Sequence, residues 1–204
     1  MNPPHNPRET PALPPTLTDT RTLRERARQG LADGAVTAGY GPLRDEVLAL
    51  LDGALATELV CMLRYRRHHF MARGVLSKPV ADEFLVHATQ ELQHADWLAE
   101  RIVQLGGEPD FEPRGLEARS HAQYVEGQTL AEMIREDLVA ERIAIDAYRE
   151  GIAFLGDSDP TTRRLLGTIL ATEEEHADEL ASLLEVLPAD ARAIAEAGVP
   201  AQTQ

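Results

Sequence analysis

The sequence predicts an all-α protein, a four-helix bundle with one long crossover. Three observations predict it. Alanine and leucine are abundant while aromatic residues make up only 4% of the 204 residues, a balance that favours helix. Apolar residues recur at helical spacing in four separate stretches. A link of 22 residues, Gly107 to Gln128, separates the second stretch from the third, whereas the other joins are short.

Taken in order, residues 1–40 read as a disordered Pro-rich and Arg-containing extension. Pro3, Pro4, Pro7, Pro11, Pro14 and Pro15 exclude a helix or central strand at its start. Arg21, Arg24, Arg26 and Arg28 read as a short solvated or partner-facing helix. The bundle is expected over residues 41–187. Its first helix runs from Leu43 to Arg73 with Leu48, Leu51, Leu55, Leu59, Met62 and Tyr65 in one stripe, stopped by Gly74. The second starts near Pro79 and turns Phe84, Ala88, Ala95, Leu98, Ile102 and Leu105 inward before Gly106-Gly107. Thr129 and Glu132 form a capping-box pattern that opens the third, with Ile134, Leu138, Ile145, Tyr148, Ile152 and Leu155 inward. The fourth opens at Asp159-Pro160, buries Leu166, Ile169, Ala177, Leu180 and Leu184, and stops before Pro188. Residues 188–204 are a C-terminal tail or short helix.

A glutamate sits inside each stripe. The pattern Glu58, Tyr65, Glu91, His94, Asp96 recurs as Glu141, Tyr148, Glu173, His176, Asp178, with glutamate and tyrosine seven apart both times. The step to the next glutamate is 33 residues in one copy and 32 in the other. The chain therefore reads as a duplicated helical hairpin. A helix from Leu43 to Arg73 is roughly 45 Å long, so short joins make antiparallel neighbours, while 22 extended residues reach ~70 Å and let the central helices run parallel. Counted from its turn, each donor lies about 20 to 24 Å along its helix, so the four glutamates and two histidines reach one level. Spacing of i, i+3 puts each Glu-x-x-His pair on one face. Carboxylates buried unpaired would each cost several kcal/mol, and two divalent ions neutralise all four. Oxygen and nitrogen donors of this kind suit iron or manganese.

Composition narrows the function classes. A formal net charge of −14 argues against nucleic acid as the main partner and suits a protein that attracts cations. The single cysteine, Cys61, excludes an intrachain disulfide framework and a four-cysteine metal site, and reads as a small buried hydrophobe. No apolar run approaches the ~20 residues needed to span a bilayer, so a cytoplasmic location without membrane contact is expected. Tyr65 is expected to serve the site, by a hydrogen bond to a ligand or as an electron donor, while Tyr148 reads rather as a core aromatic. His87 reads as solvated or beside the ligands, His68 and His69 as surface or interface residues, and Trp97 as bundle packing.

The segments Glu58-Leu-Val…Tyr65, Glu91-Leu-Gln-His94, Asp137-Leu-Val-Ala-Glu141 and Glu173-Glu-Glu-His176, on these helices with this crossover, resemble bacterioferritins within the ferritin-like di-iron superfamily. The resemblance covers roughly Leu43 to Leu187. It implies a ferroxidase in which Glu58 and His94 are terminal ligands of one iron, Glu141 and His176 of the other, and Glu91 and Glu173 bridge. Two Fe ions are the implied metals, with Mn or Zn as substitutes, and Tyr65 takes the place of the family's tyrosine beside them. The chain departs from the family at Leu92, where the family's haem-binding methionine is replaced, so haem is not expected. Val86 and Gln90 stand where some members carry a histidine and an acid of an inner-surface iron site. The proline-rich extension has no counterpart.

The resemblance implies iron storage and detoxification: Fe(II) is oxidised by O2 or H2O2 and passed into a cage-like homo-oligomer of 12 or 24 subunits. The rival is a rubrerythrin-like di-iron or di-manganese peroxidase or catalase that stores nothing. A DNA-protecting or structural bundle is the third reading. Against it stand the acidic charge and the two Glu-x-x-His segments in one chain, since DNA-protecting mini-ferritins build their sites between subunits.

Overall fold

In the computed structural model, which describes residues 17–40, 43–74 and 77–187, the four apolar stripes become four long helices. They are α2 (Arg44–Met71), α3 (Ser77–Gln104), α5 (Leu130–Leu155) and α6 (Pro160–Val186), with short helices α1 (Thr20–Arg26) and α4 (Leu116–Arg119) beside them. No strand occurs among the described residues. The expected ends hold to within a few residues. The Thr129 side chain accepts from the Glu132 amide and Glu132 reaches back, closing a capping box at α5. Asp159 accepts from the Thr162 amide ahead of Pro160, which opens α6. The chain leaves α3 through Gly106, whose φ of 73° lets the Gly107 amide donate back to Ile102.

Helices α2 and α3 pack as one hairpin, α5 and α6 as another, and α2 with α5 and α3 with α6 join the two. The crossover is laid along α2 by side chains. Asp52 binds Arg119, Thr57 binds His121, Arg64 donates to the Gln123 carbonyl and Arg67 to Glu126. Crossover and α2 numbers rise together, so the link returns the chain to the end of α2 where α3 also begins. Helices α3 and α5 are thereby parallel.

The core divides in two along the bundle axis. Leu51, Leu55, Leu98, Ile102, Leu155, Leu166 and Ile169 pack at one end, and Phe84, Ala88, Ile134 and Leu180 at the other. Between them lies a buried polar layer. In the extension, α1 buries no residue, whereas Val36 and Tyr40 pack against the first core half. The proline-rich residues 1–16 and the tail 188–204 lie outside the described residues. Among those described, no helix is long and apolar enough to cross a membrane.

Candidate metal centre

The polar layer is built by helical spacing. Glu91 and His94 share a face of α3, Glu173 and His176 a face of α6, and Glu58 of α2 and Glu141 of α5 approach from the other hairpin partners. No member of the six is more than 2% exposed. One ligand atom each from Glu58, Glu91, His94 and Glu173 lie within 4.8 Å of one another, and so do one each from Glu91, Glu141, Glu173 and His176. Glu91 and Glu173 belong to both groups.

Both imidazoles turn Nδ1 to the carboxylates. His94 Nδ1 lies 3.1 Å from Glu58 Oε2 and 2.9 Å from Glu173 Oε1. His176 Nδ1 lies 3.4 Å from Glu91 Oε1 and 3.6 Å from Glu173 Oε2. At His176 the other nitrogen, Nε2, donates to Gln90 Oε1 at 3.0 Å, which in the neutral ring leaves Nδ1 bare and aimed at the centre.

Several polar atoms here have no hydrogen-bond partner although they are buried: Glu91 Oε1, Glu141 Oε2, both carboxylate oxygens of Glu173, and His176 Nδ1. Each such atom costs about 1–3 kcal/mol, so a cluster of them argues for an occupant of opposite charge. Divalent cations fit this donor set. Without them Glu91 and Glu173 favour the protonated form. Burial, then the charge of Glu173, pushes Glu91 well above the usual carboxylate range, and burial with Glu58 does the same to Glu173. Burial raises Glu141 too, but the nearby His176 imidazole, the neighbouring Glu173 carboxyl and the Tyr65 hydroxyl outweigh it and bring Glu141 down to about 2. His176 is lowered by burial yet pushed up to about 9 by the carboxylates of Glu141 and Glu173 beside it.

The tyrosines pair across the hairpins. Tyr65 on α2 donates to Glu141 on α5, and Tyr148 on α5 donates to Glu58 on α2. Tyr148, read as a core aromatic, is thus as close to the cluster as Tyr65. Seven residues place each phenol two turns from the glutamate of its own helix, so its partner comes from the opposite one.

One further position departs from expectation. His68 is not a surface or interface residue: it is fully buried, with Nδ1 2.8 Å from Asp137 Oδ2 and Nε2 2.9 Å from the Glu126 carbonyl. The crossover covers it. His87, read as solvated or beside the ligands, takes the second place: it is fully buried, its ring stacked on His176 with centroids 4.0 Å apart. Asp96 and Asp178, repeated in both copies of the pattern, are exposed and outside the cluster. Sequence signals for the two histidines existed, since His68 follows Tyr65 by three and His87 precedes Glu91 by four on inward faces. Cys61 is buried as expected, His69 is half-buried on the Ala81 carbonyl, and Trp97 is half-buried with its ring 5.6 Å from His94.

A profile of the ferritin-like domain family matches residues 48–189, well over half of the chain and all six clustered residues. The chain belongs to the ferritin-like family. Among the relatives of this ferritin-like chain, a bacterioferritin of Mycobacterium avium is 32% identical over 143 residues, covering 70% of this chain and 86% of the relative. A bacterioferritin of Mycobacterium leprae is 31% identical with the same coverage. The solved structure of a dodecameric thioferritin, the bacterioferritin-related protein of Bacteroides fragilis, superposes with a TM-score of 0.68 at 27% identity, covering 76% of this chain and 92% of that one. Dps from Thermosynechococcus elongatus, at 24% identity and a TM-score of 0.67 over 70% of this chain and 92% of its own, shares the fold of this ferritin-like chain.

Proposed function

We propose that this chain is a ferroxidase of iron storage and detoxification, acting within a cage-like homo-oligomer. The observation that supports this most is the pair of four-donor groups sharing Glu91 and Glu173, with bare buried oxygens between them. Iron is the substrate. Glu58 and His94 would hold one Fe(II), Glu141 and His176 the other, and Glu91 and Glu173 would bridge. Each Fe(II) gives up one electron, so two together with two protons reduce one H2O2 to two waters, or one O2 to H2O2, and leave as Fe(III).

The protein's own groups prepare that exchange. Tyr148 and Tyr65 orient Glu58 and Glu141 by hydrogen bonds, and Gln90 fixes the His176 ring so that Nδ1 faces inward. The apolar layers at either end keep bulk water out, which strengthens every interaction between charges in the gap. Protons held on Glu91 and Glu173 leave as cations arrive, because a cation stabilises the ionised carboxylate.

Glu91→Ala tests the reading directly. Removing a bridging carboxylate should slow Fe(II) oxidation by at least ~100-fold in stopped-flow absorbance, beyond the 10–100-fold typical of outer partners, while far-ultraviolet circular dichroism stays helical. Wild-type rates in that variant would overturn it. Mass in solution separates storage from the peroxidase reading: a closed shell supports the first and a small oligomer the second.

A further inference from the structure

Glu83, His87 and Glu179 form a second cluster of ligating groups next to the first. His87 Nε2 lies 2.9 Å from Glu179 Oε2 and 3.5 Å from Glu83 Oε1, and one ligand atom from each of the three falls within 4.8 Å of the others. Glu83 and His87 share a face of α3 at i, i+4, while Glu179 comes from α6, so the cluster spans two packed helices. Its floor and its rim differ. His87 is completely buried, whereas the Glu83 and Glu179 side chains are 37% and 44% exposed, so the cluster opens to solvent above an imidazole.

The imidazole is unsatisfied. With Nε2 donating to Glu179, Nδ1 of His87 is buried with no hydrogen-bond partner. The other neutral tautomer, with its proton on Nδ1, turns a bare Nε2 towards both carboxylates, as a metal ligand requires. Across the ring lies the main cluster, for a nitrogen of His87, an oxygen of Glu141 and a nitrogen of His176 also fall within 4.8 Å of one another. His87 thus belongs to two donor groups at once. The outer carboxylates repel each other as well: burial, then the Glu179 charge, raises Glu83 above the usual carboxylate range.

We propose that Glu83, His87 and Glu179 are a third divalent-cation site, through which metal ions of the Fe(II), Mn(II) or Zn(II) class reach the buried centre from solvent. Two carboxylates and one imidazole suit that class and leave positions for water on the ion. A cation bound there relieves the carboxylate repulsion and makes Nε2 a ligand, while its waters remain until it moves inward. Delivery to the inner centre rests on the dinuclear reading above, but cation binding at the outer cluster does not.

Zinc is the probe, because it binds the same donors without redox chemistry. The full-length chain crystallised with Zn(II) and mapped at the zinc absorption edge should show an anomalous peak between Glu83, His87 and Glu179 and two within the inner cluster. Glu83→Gln with Glu179→Gln, close in shape to the wild type, should lose the outer peak alone. Titration should then fall from three Zn(II) per chain to two, and Fe(II) uptake in stopped flow should slow by roughly 10-fold. An unchanged peak in the double variant, or no outer peak in the wild type, overturns the site. Loss of the peak with unchanged uptake overturns its delivery role. Failure of the dinuclear reading is separate: the outer peak persists and the inner two are missing. Glu179→Gln alone supplies the same comparison should the double variant fail to fold.

Discussion

At the residue scale, the polar groups around the centre are held by partners on other helices, and the strongest hold is on Asp137. Its two oxygens take Arg64 Nε and His68 Nδ1, both at 2.8 Å, and none of the three side chains is more than 2% exposed. Both nitrogens of His68 face oxygens, of Asp137 and of the Glu126 carbonyl, and the Arg64 guanidinium that Asp137 balances also donates to the Gln123 carbonyl. Asp137→Ala should cost about 3–5 kcal/mol in urea unfolding, since it strands buried charge, and a loss below ~1 kcal/mol would contradict that arrangement. Little of it was legible in the sequence. Asp137 stands four residues before Glu141, but its partners Arg64 and His68 come from α2, whose rotation towards α5 no local spacing specifies.

At the element scale, the start of α6 is tied to two other parts of the chain through Asp159. Besides capping Thr162, its carboxylate accepts from Arg101 of α3 at 3.0 Å and from the Tyr40 hydroxyl at 2.7 Å. Burial acts to raise Asp159, yet the hydrogen bonds from Thr162, Tyr40 and Arg101 outweigh it and hold it at about 2 against an ordinary 3.8. A carboxyl lowered on folding adds stability above its unfolded value and loses it as pH falls through the folded one. Asp159→Ala should therefore cost about 3 kcal/mol near pH 6, from the lost cap and the stranded Arg101, and progressively less as pH falls from about 4 towards 2. Unfolding at matched protomer concentration measures it. A penalty that grows on acidification would refute the assignment. The cap itself was readable from Asp159-Pro160, whereas Arg101 and Tyr40 were not, because they lie 58 and 119 residues away.

At the scale of the whole molecule, the duplicated hairpin and its crossover put four carboxylates and two imidazoles at one level between two apolar halves. Closed assembly of a 22.4 kDa chain as 12 or 24 copies predicts roughly 270 or 540 kDa by light scattering. A dimer would instead favour the peroxidase reading. The dodecameric state is that of the Bacteroides fragilis protein.

The sequence by itself determined the four long helices, their capping signals and the glutamates and histidines on the inward faces that form the cluster, because spacing, caps and glycines act within a few residues. The 22-residue link also allowed the central helices to run parallel, since rise per residue limits what each join can span, and the course of the crossover along α2 decided that they do. Tertiary structure alone decided the crossed pairing of Tyr65 with Glu141 and Tyr148 with Glu58, the burial of His68 beneath the crossover, and the contact of His87 with both Glu179 and His176. Each depends on how one helix is turned towards its neighbour. That rotation is set by the packing of side chains far apart in the chain, and a stripe of apolar residues bounds it only to a face.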